Sequence, residues 1–273
     1  MRKFAIVLLL ALAACGQKGQ EPWLGYGEGE DAFVAAPQAG WVEKIAITRG
    51  QEVKKGDLLF TLDDTQQRAA RDQALANLNA MKAQWSQNEA SLAYAEKQLA
   101  RQTMLVHANA TAKDTADLAR SNRDQFAAHS SQIEAQMKQT QAALNDAEYQ
   151  LSQRRVVALV NGRVEDIYFR AGEYVPPSTP VVSVLPPENV YVRFFVPETE
   201  FGKVHVGQKV AIDCDGCAKN LTAKITFIAQ QEEFTPPVIF SIGNREKLVF
   251  KLEARAPGGL KLNPGQPVDV RPL

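Results

Sequence analysis

The sequence predicts a mixed β and α fold, in which a split β domain carries an inserted antiparallel coiled-coil α-hairpin and is followed by a β-barrel with a further β region. Three observations lead to this prediction. Residues 65–154 contain neither Gly nor Pro and consist largely of helix formers. The segments on both sides of them share one pattern of Gly and Val. After residue 187 the chain alternates apolar and polar residues in short runs.

Apolar residues within segment 65–154 recur in steps of four and three, which is the repeat of a coiled coil. The repeat stops across residues 107–112, so we expect two helices that turn back on each other, each of roughly 42 residues and ~60 Å. We expect Asp64 to cap the first helix. The rows expected to form the seam are Leu78, Trp85, Leu92, Leu99 and Val106 in one arm and Phe126, Ile133, Met137, Leu144, Ala147 and Leu151 in the other.

The segments that flank the hairpin, residues 31–64 and 155–186, are predicted to be two copies of one small β unit. Each copy has two glycines ten positions apart and a valine three positions after the second. The second glycine suits a tight turn with positive φ. Neither copy can bury its apolar face alone, so we expect the two to pair into one flattened barrel. The matched residues are Gly40, Gly50 and Val53 in the first copy and Gly162, Gly172 and Val175 in the second.

Residues 187–273 are predicted to form a β-barrel and a further β region. Alternating runs at residues 190–196, 221–227 and 248–254 are separated by Gly, Pro and polar residues. Several short strands with this punctuation are typical of a barrel or sandwich.

The first 14 residues are predicted to be a signal peptide. Arg2 and Lys3 precede an apolar run of 11 residues, which is too short to span a bilayer and suits a secretory signal. The run leads into Leu-Ala-Ala-Cys, which resembles the lipobox of bacterial lipoproteins and predicts lipid attachment at Cys15. Residues 15–30 would then be a flexible lipid-anchored tether. The alternative is an ordinary secreted protein with a chance Cys at this position.

Composition and motifs argue against several classes of function. The 31 basic and 31 acidic residues balance and form no basic stripe, so we expect no nucleic-acid partner. The sequence has no P-loop, no G-x-S-x-G motif and no H-E-x-x-H motif. We therefore expect a protein that is not an enzyme and that holds no cofactor and no metal.

Cys214 and Cys217 enclose an Asp-Gly pair between two predicted strands, which is typical of a two-residue hairpin turn. In an oxidising compartment we expect a disulfide across this turn. A redox-active pair, free thiols and a weak metal contact are the alternatives, although two cysteines alone do not make a zinc site.

The repeated β unit resembles the biotinyl-lipoyl fold, because the stretch from Pro37 onward matches the motif P-x-x-G-x-V-x-x-I followed by G-x-x-V-x-x-G-D-x-L. Carrier proteins of that fold bear a modified Lys at the turn between the halves, which is where this chain has its hairpin. Lys54 and Lys55 lie elsewhere in the motif, so we expect them to be solvated turn residues.

With the lipobox and the β-rich tail, the mature chain resembles the HlyD family of periplasmic adaptors, also called membrane fusion proteins. The resemblance implies a membrane-proximal β domain beside the barrel and a role without catalysis. The β domains would sit on an inner-membrane transporter, and the hairpin would dock on a TolC-like outer-membrane channel. The family also implies a homo-oligomer, commonly a hexamer, that is lipid-anchored in the periplasm to the inner membrane of a Gram-negative bacterium.

Family members that dock on TolC-like channels often carry Arg-Leu-x-x-Leu followed seven residues later by Ser. Arg101 and Leu105 keep this spacing, whereas Gln102 and Ala112 replace the first Leu and the Ser, and Thr111 stands beside Ala112. The resemblance therefore implies channel docking through Arg101, Leu105, Thr111 and Ala112. The alternative is that Arg101 is a solvated helix residue and Leu105 packs the end of the hairpin.

Residues 233–239, 247–250 and 262–268 look closest to adaptors of ABC-type exporters, which implies an ABC permease and ATPase as the inner-membrane partner. The alternatives are an adaptor of an RND-type efflux pump, a lipoyl-type carrier protein of an enzyme complex, and a structural coiled-coil lipoprotein.

Overall fold

The computed structural model describes residues 21–234 and 248–273. The predicted signal peptide and the predicted lipid-attachment residue, Cys15, lie outside the described residues. In chain order the strands are β1 (Trp23–Gly29), β2 (Ala32–Ala35), β3 (Gly40–Ile45), β4 (Glu52–Val53), β5 (Leu58–Leu62), β6 (Arg155–Val157), β7 (Gly162–Ile167), β8 (Tyr174–Val175), β9 (Pro180–Leu185), β10 (Val190–Pro197), β11 (Lys209–Asp213), β12 (Leu221–Phe234), β13 (Leu248–Arg255) and β14 (Pro267–Pro272). The helices are α1 (Thr65–His107), α2 (Lys113–Ser152) and the short α3 (Glu198–Phe201).

Two four-stranded sheets, ordered β2-β9-β7-β4 and β6-β5-β3-β8, enclose one apolar core and form a sandwich. The two copies of the repeated unit exchange strands in it: β4 of the first copy pairs with β7 of the second, and β8 of the second pairs with β3 of the first. Val53 and Val175 take equivalent buried places, 3% and 0% exposed. The exchange gives the physical reason why neither copy could bury its apolar face alone.

Glycine in the matched turns is required by the backbone. Gly50 and Gly172 have φ of +81° and +90°, a region that side chains with a Cβ rarely adopt. The prediction of a positive φ at the second glycine of each copy is confirmed.

The predicted α-hairpin is confirmed as an insertion between β5 and β6. These two strands pair with each other, so the first residue of α1 and the last of α2 are held side by side. Leu78 and Ile133 are buried in the seam between the helices, at 3% and 2% exposed. Trp85 occupies a seam position but stays 37% exposed, because two helices alone cannot enclose an indole. None of the described helices has an apolar stretch long enough to cross a membrane.

The start of α1 is hydrogen-bonded differently from the prediction. Asp64 makes no cap hydrogen bond with its side chain and instead forms an ion pair with Arg68 at 2.6 Å. The neighbouring Asp63 carboxylate accepts hydrogen bonds from the Thr65 backbone N–H at 3.0 Å and the Thr65 hydroxyl at 2.7 Å. These bonds lower the pKa of Asp63, and the hydrogen bond from Arg68 lowers the pKa of Asp64. The predicted N-cap position of Asp64 is confirmed, but the hydrogen bonds to the first residue of the helix go to Asp63.

Six strands close into a barrel in the order β1-β10-β13-β12-β11-β14. The predicted tether over residues 15–30 is wrong for β1, which pairs with β10 on one side and β14 on the other. Trp23 points into the barrel core and is 4% exposed. The glycines of β1 are needed there because a Cβ at Gly25 would lie 2.5 Å from the Arg193 carbonyl oxygen. Close packing, rather than flexibility, explains this Gly-rich composition.

The prediction of a separate membrane-proximal β region within residues 187–273 is also wrong for the part of the chain that the structure describes. Every strand described after residue 189 belongs to the single barrel. The barrel needs all of them, together with β1, because six strands are required to close this sheet around its core.

Candidate functional site

The tip of the hairpin is built by a tight reversal after α1. The Ala108 N–H donates to the Met104 carbonyl at 3.0 Å, and the Asn109 N–H donates to the Val106 carbonyl at 3.0 Å. Asn109 has φ +54°, a left-handed conformation that Asn tolerates better than most residues. The Met104 and Val106 carbonyls at the end of α1 are therefore satisfied within the turn.

The start of α2 fixes the positions of Thr111 and Ala112. Ala112 is extended, and its carbonyl accepts hydrogen bonds from the Thr115 hydroxyl at 2.6 Å and the Thr115 N–H at 3.2 Å. The hydroxyls of Thr111 and Thr115 lie 3.1 Å apart and share a hydrogen bond. Thr111 is half-buried and serves the turn, while the methyl group of Ala112 is exposed.

Arg101 and Leu105 are one helical turn apart on α1, so they share one face. Arg101 is exposed and makes no ion pair among the residues of ranges 21–234 and 248–273. Leu105 is 38% exposed, and its carbonyl accepts the Ala110 N–H at 2.9 Å. The side chain of Leu105 is thus partly covered, and packing at the end of the hairpin stays an alternative to docking. Within the described residues the Arg101 side chain makes no hydrogen bond to Thr111 or Ala112, so docking through all four residues stays a prediction.

Two further apolar residues at the tip escaped the sequence analysis. Met104 is 67% exposed and Leu118 is 71% exposed. Leu118 carries a usable signal, because it falls outside the apolar rows of α2 while standing near the place where the repeat stops. With Leu105 they give the tip several exposed apolar side chains beside the cations Arg101 and Lys113, a composition that favours contact with another protein over binding of a small molecule.

The base of the hairpin is held by Arg154, which is only 8% exposed. Its guanidinium donates to the Ala39 carbonyl at 2.8 Å, and the Gln38 amide donates to the Gln150 side chain. A Cβ on Gly40 would come within 2.6 Å of the same guanidinium. These contacts tie the hairpin to the sandwich and so set the direction in which the tip points.

Cys214 and Cys217 both lie in the loop 214–220 between β11 and β12, so the predicted two-residue hairpin turn is wrong: the strand ladder already ends at Ile212 and Leu221. Their sulfur atoms are in disulfide contact and their Cα atoms are 5.5 Å apart. Gly216 has φ +79°, which suits the third position of a tight turn closed by the Cys217 N–H and the Cys214 carbonyl. Within the described ranges no group of three or more His, Cys, Asp or Glu side chains could hold a metal ion. Formation of the disulfide in the cell stays a prediction.

The family described as "RND MFP, barrel-sandwich hybrid domain" matches residues 30–185. Multidrug resistance protein MdtA of Proteus mirabilis is 29% identical over 238 residues, which cover 85% of this chain and 53% of that protein. A UPF0194 membrane protein of Yersinia enterocolitica is 26% identical over 320 residues, covering 98% of this chain and 96% of the other. The chain spans about half the length, or less, of the first curated relatives it matches, from 36% to 53%.

Among solved structures, that of MacA from Actinobacillus actinomycetemcomitans superposes with a TM-score of 0.68 at 22% identity, covering 94% of this chain and 80% of MacA. At that identity the match shows the fold alone. The family match is the stronger finding, because it spans more than half of the 273 residues. The strand-exchanged sandwich lies within it, so this chain belongs to the membrane fusion proteins that carry the barrel-sandwich hybrid domain.

Proposed function

We propose that this chain is a lipid-anchored periplasmic adaptor of a tripartite export system, which links an inner-membrane transporter to a TolC-like outer-membrane channel. The observation that carries the proposal is the insertion of a long helical hairpin into the sandwich. Its base is fixed by paired strands and by Arg154, while its tip exposes Met104, Leu105 and Leu118. A rigid arm with an apolar end suits a contact made at a distance from the membrane. In this proposal the sandwich corresponds to the split lipoyl-like domain expected from the sequence.

Cross-linking from the tip in intact cells tests the channel contact. A photoreactive amino acid replaces Asn109 or Ala110 at the tip, and a matched one replaces Lys82 on the exposed side of α1. The proposal expects an outer-membrane protein to be captured from the two tip positions and not from Lys82. Capture of inner-membrane proteins alone, or equal capture from all three positions, would contradict it.

The inner-membrane partner is proposed to be an ABC permease with its ATPase, supported by the resemblance of residues 262–268 to ABC-linked adaptors. An RND-type pump is the second candidate, which the description of the matching family as "RND MFP" favours. The two differ in their energy source. Export that survives a protonophore but stops on mutation of the partner's ATPase supports the ABC proposal, and the reverse supports an RND pump.

The lipoyl-carrier alternative predicts a covalent group on Lys. Lys54 and Lys55 are exposed, and their backbone N–H groups donate to the Asp57 carboxylate and the Asn161 side-chain oxygen, each at 2.8 Å. Both lysines therefore lie in the turn between β4 and β5. Carrier proteins bear the modified Lys at the turn between the two halves, where this chain has its hairpin. Intact mass of the purified protein decides: the adaptor proposal expects lipid on Cys15 and no lipoyl or biotinyl mass on any Lys.

A further inference from the structure

The strand directions place one end of the barrel far from the sandwich. β1 starts at Trp23 and runs towards the sandwich, and β10 returns from the sandwich and finishes at Pro197. The Trp23 indole N–H donates to the Glu200 carboxylate at 2.6 Å, which ties the start of β1 to α3. β14 runs antiparallel to β1, so its last residues lie at the Trp23 end. The Leu273 N–H donates to the Lys209 carbonyl at 3.2 Å, which places the start of β11 at the same end. The first residues that the structure describes therefore emerge at the end opposite the hairpin.

Three exposed lysines cluster around the start of β11. Lys209 and Lys224 are direct partners in the ladder of β11 and β12, and both are exposed. Like charges directly opposite each other on neighbouring strands destabilise a sheet. Lys203, in the loop after α3, is exposed as well. None of the three makes an ion pair with another residue in the described part of the chain.

No carboxylate in the described part of the chain forms an ion pair with these lysines. Glu200 accepts the Trp23 indole hydrogen bond, and Glu198, the other acid of α3, is exposed without reaching any of the three lysines in an ion pair. Among the described residues no carboxylate pairs with Lys209 or Lys224, so an external anion would reduce the repulsion between them.

Two apolar side chains stand among the lysines. Val206 is 60% exposed and Phe227 is 47% exposed. The Gly207 N–H donates to the Ile225 carbonyl at 2.8 Å, and this bond extends the β11–β12 ladder so that Val206 and Phe227 emerge close together. Exposed apolar residues interleaved with lysines are the composition of surfaces that lie on anionic membranes.

We propose that this surface, formed by Lys203, Lys209, Lys224, Val206 and Phe227 and here called the basic rim, binds anionic phospholipid headgroups of the bilayer. The proposal rests on the lipid attachment at Cys15 in the proposed function. Trp23 stands eight residues after Cys15, and an extended chain of that length reaches at most about 29 Å. The anchor thus holds the basic rim beside a lipid surface rather than in open periplasm.

Vesicle flotation tests the proposal on the mature chain, residues 15–273 with Cys15→Ser, so that no acyl chain contributes. We expect binding to vesicles of phosphatidylethanolamine with phosphatidylglycerol, weaker binding as salt rises, and little binding to phosphatidylcholine vesicles. Replacing Lys203, Lys209 and Lys224 together by Gln is expected to weaken binding at least tenfold, because each lysine near an anionic surface contributes about fivefold. Phe227→Ser is expected to weaken it several-fold.

The matched control replaces Lys82, Lys97 and Lys138, three exposed lysines of the hairpin, by Gln. It removes the same charge, so equal loss of binding in control and rim variants would overturn the proposal. Binding that does not distinguish anionic from zwitterionic vesicles would overturn it as well, and a rim that captures only a transporter protein would exclude a lipid partner. Failure of the proposed function would appear separately, as loss of tip cross-links to the outer membrane in the wild type.

Discussion

The Asn88 side-chain amide donates a 2.7 Å hydrogen bond to the Ser130 hydroxyl inside the seam of the hairpin. Both residues are buried, at 5% and 8% exposed, in positions that a coiled coil usually fills with apolar side chains. The amide also donates to the Phe126 carbonyl at 3.1 Å, and the Ser130 hydroxyl donates to Glu89 at 2.7 Å. This polar layer fixes which turn of α1 faces which turn of α2, since a slip of either helix would leave the amide buried without partners.

Ser130→Ala is expected to lower the free energy of unfolding by about 1–2 kcal/mol, because it removes one partner of the buried Asn88 amide. Urea denaturation followed by far-ultraviolet circular dichroism measures the change. Ser131→Ala is the matched control, since Ser131 is exposed and hydrogen-bonds only within its own helix. If both variants lose the same stability, the polar layer has no special role.

Gly259→Ala is expected to destabilise the junction between barrel and sandwich by more than about 3 kcal/mol. Its Cβ would lie 1.7 Å from the Pro187 carbonyl oxygen, on a backbone with φ +83°. Gly258→Ala is the control, since Gly258 also has positive φ, +77°, but no heavy atom within 4 Å of the added Cβ. It should cost about 1–2 kcal/mol for the conformation alone. Equal losses in thermal unfolding would contradict the close approach at Pro187.

Replacing Cys214 and Cys217 together by Ser is expected to lower the free energy of unfolding by about 2 kcal/mol, the entropy of a short closed loop. A reductant should lower the stability of the wild type by a similar amount and leave the double variant unchanged. Thiol titration of the denatured, unreduced protein should detect neither cysteine. Two titratable thiols at these positions would rule the disulfide out.

Asp31→Asn is expected to stabilise the protein at neutral pH. Burial raises the pKa of the Asp31 carboxyl above its ordinary 3.8, and the negative charge of Glu165 raises it further, against a smaller opposite effect of the Ser183 hydrogen bond. A raised pKa means that the contribution of this group to stability is complete below 3.8 and is lost as pH rises through the folded-state value.

The gain from Asp31→Asn at neutral pH should therefore be small, under about 3 °C in Tm, and should vanish when the carboxyl is protonated. Asp146→Asn, on the exposed side of α2, serves as control and should shift Tm little at either pH. A gain that persists unchanged in acid would contradict the electrostatic cause.

Arg101→Ala combined with Leu105→Ser is expected to abolish export in cells while changing the free energy of unfolding by less than about 1 kcal/mol, because both side chains are exposed. Lys82→Ala with Leu75→Ser is the matched control, since these two residues are exposed on α1 far from the tip. Normal export by the tip variant would favour a structural lipoprotein over an adaptor.

Long-range order in this fold was predictable where the chain repeats a signal. The absence of Gly and Pro over residues 65–154 and the 4-3 rows predicted the hairpin, and the matched spacings of Gly50 and Gly172 predicted equivalent turns with positive φ. The helical composition and the 4-3 repeat extend over many residues, and the Gly spacing occurs twice, so none of these patterns depends on a single residue.

Features that depend on a single contact were not predictable. The composition of β1 resembles that of a linker, and only the approach of the Arg193 carbonyl to Gly25 shows why glycine is required there. Asn88 interrupts the apolar rows, and its meaning depends on Ser130 in the other helix, 42 residues away. At the tip, residues 107–112 were identified by the loss of the repeat, but the exposure of Met104 depends on how the turn closes.

Because β5 and β6 pair at the root of the hairpin, a small movement at the root is amplified at the tip. The two helix axes are separated by about 10 Å at a packed seam, whereas α1 has 43 residues and is therefore about 64 Å long. A relative displacement of about 1 Å between the two helices where they enter the sandwich would swing the tip sideways by about 6 Å. Small rearrangements of the β domains, for instance around Arg154 and Gly40, can thus move the tip by more than the width of a side chain without bending either helix.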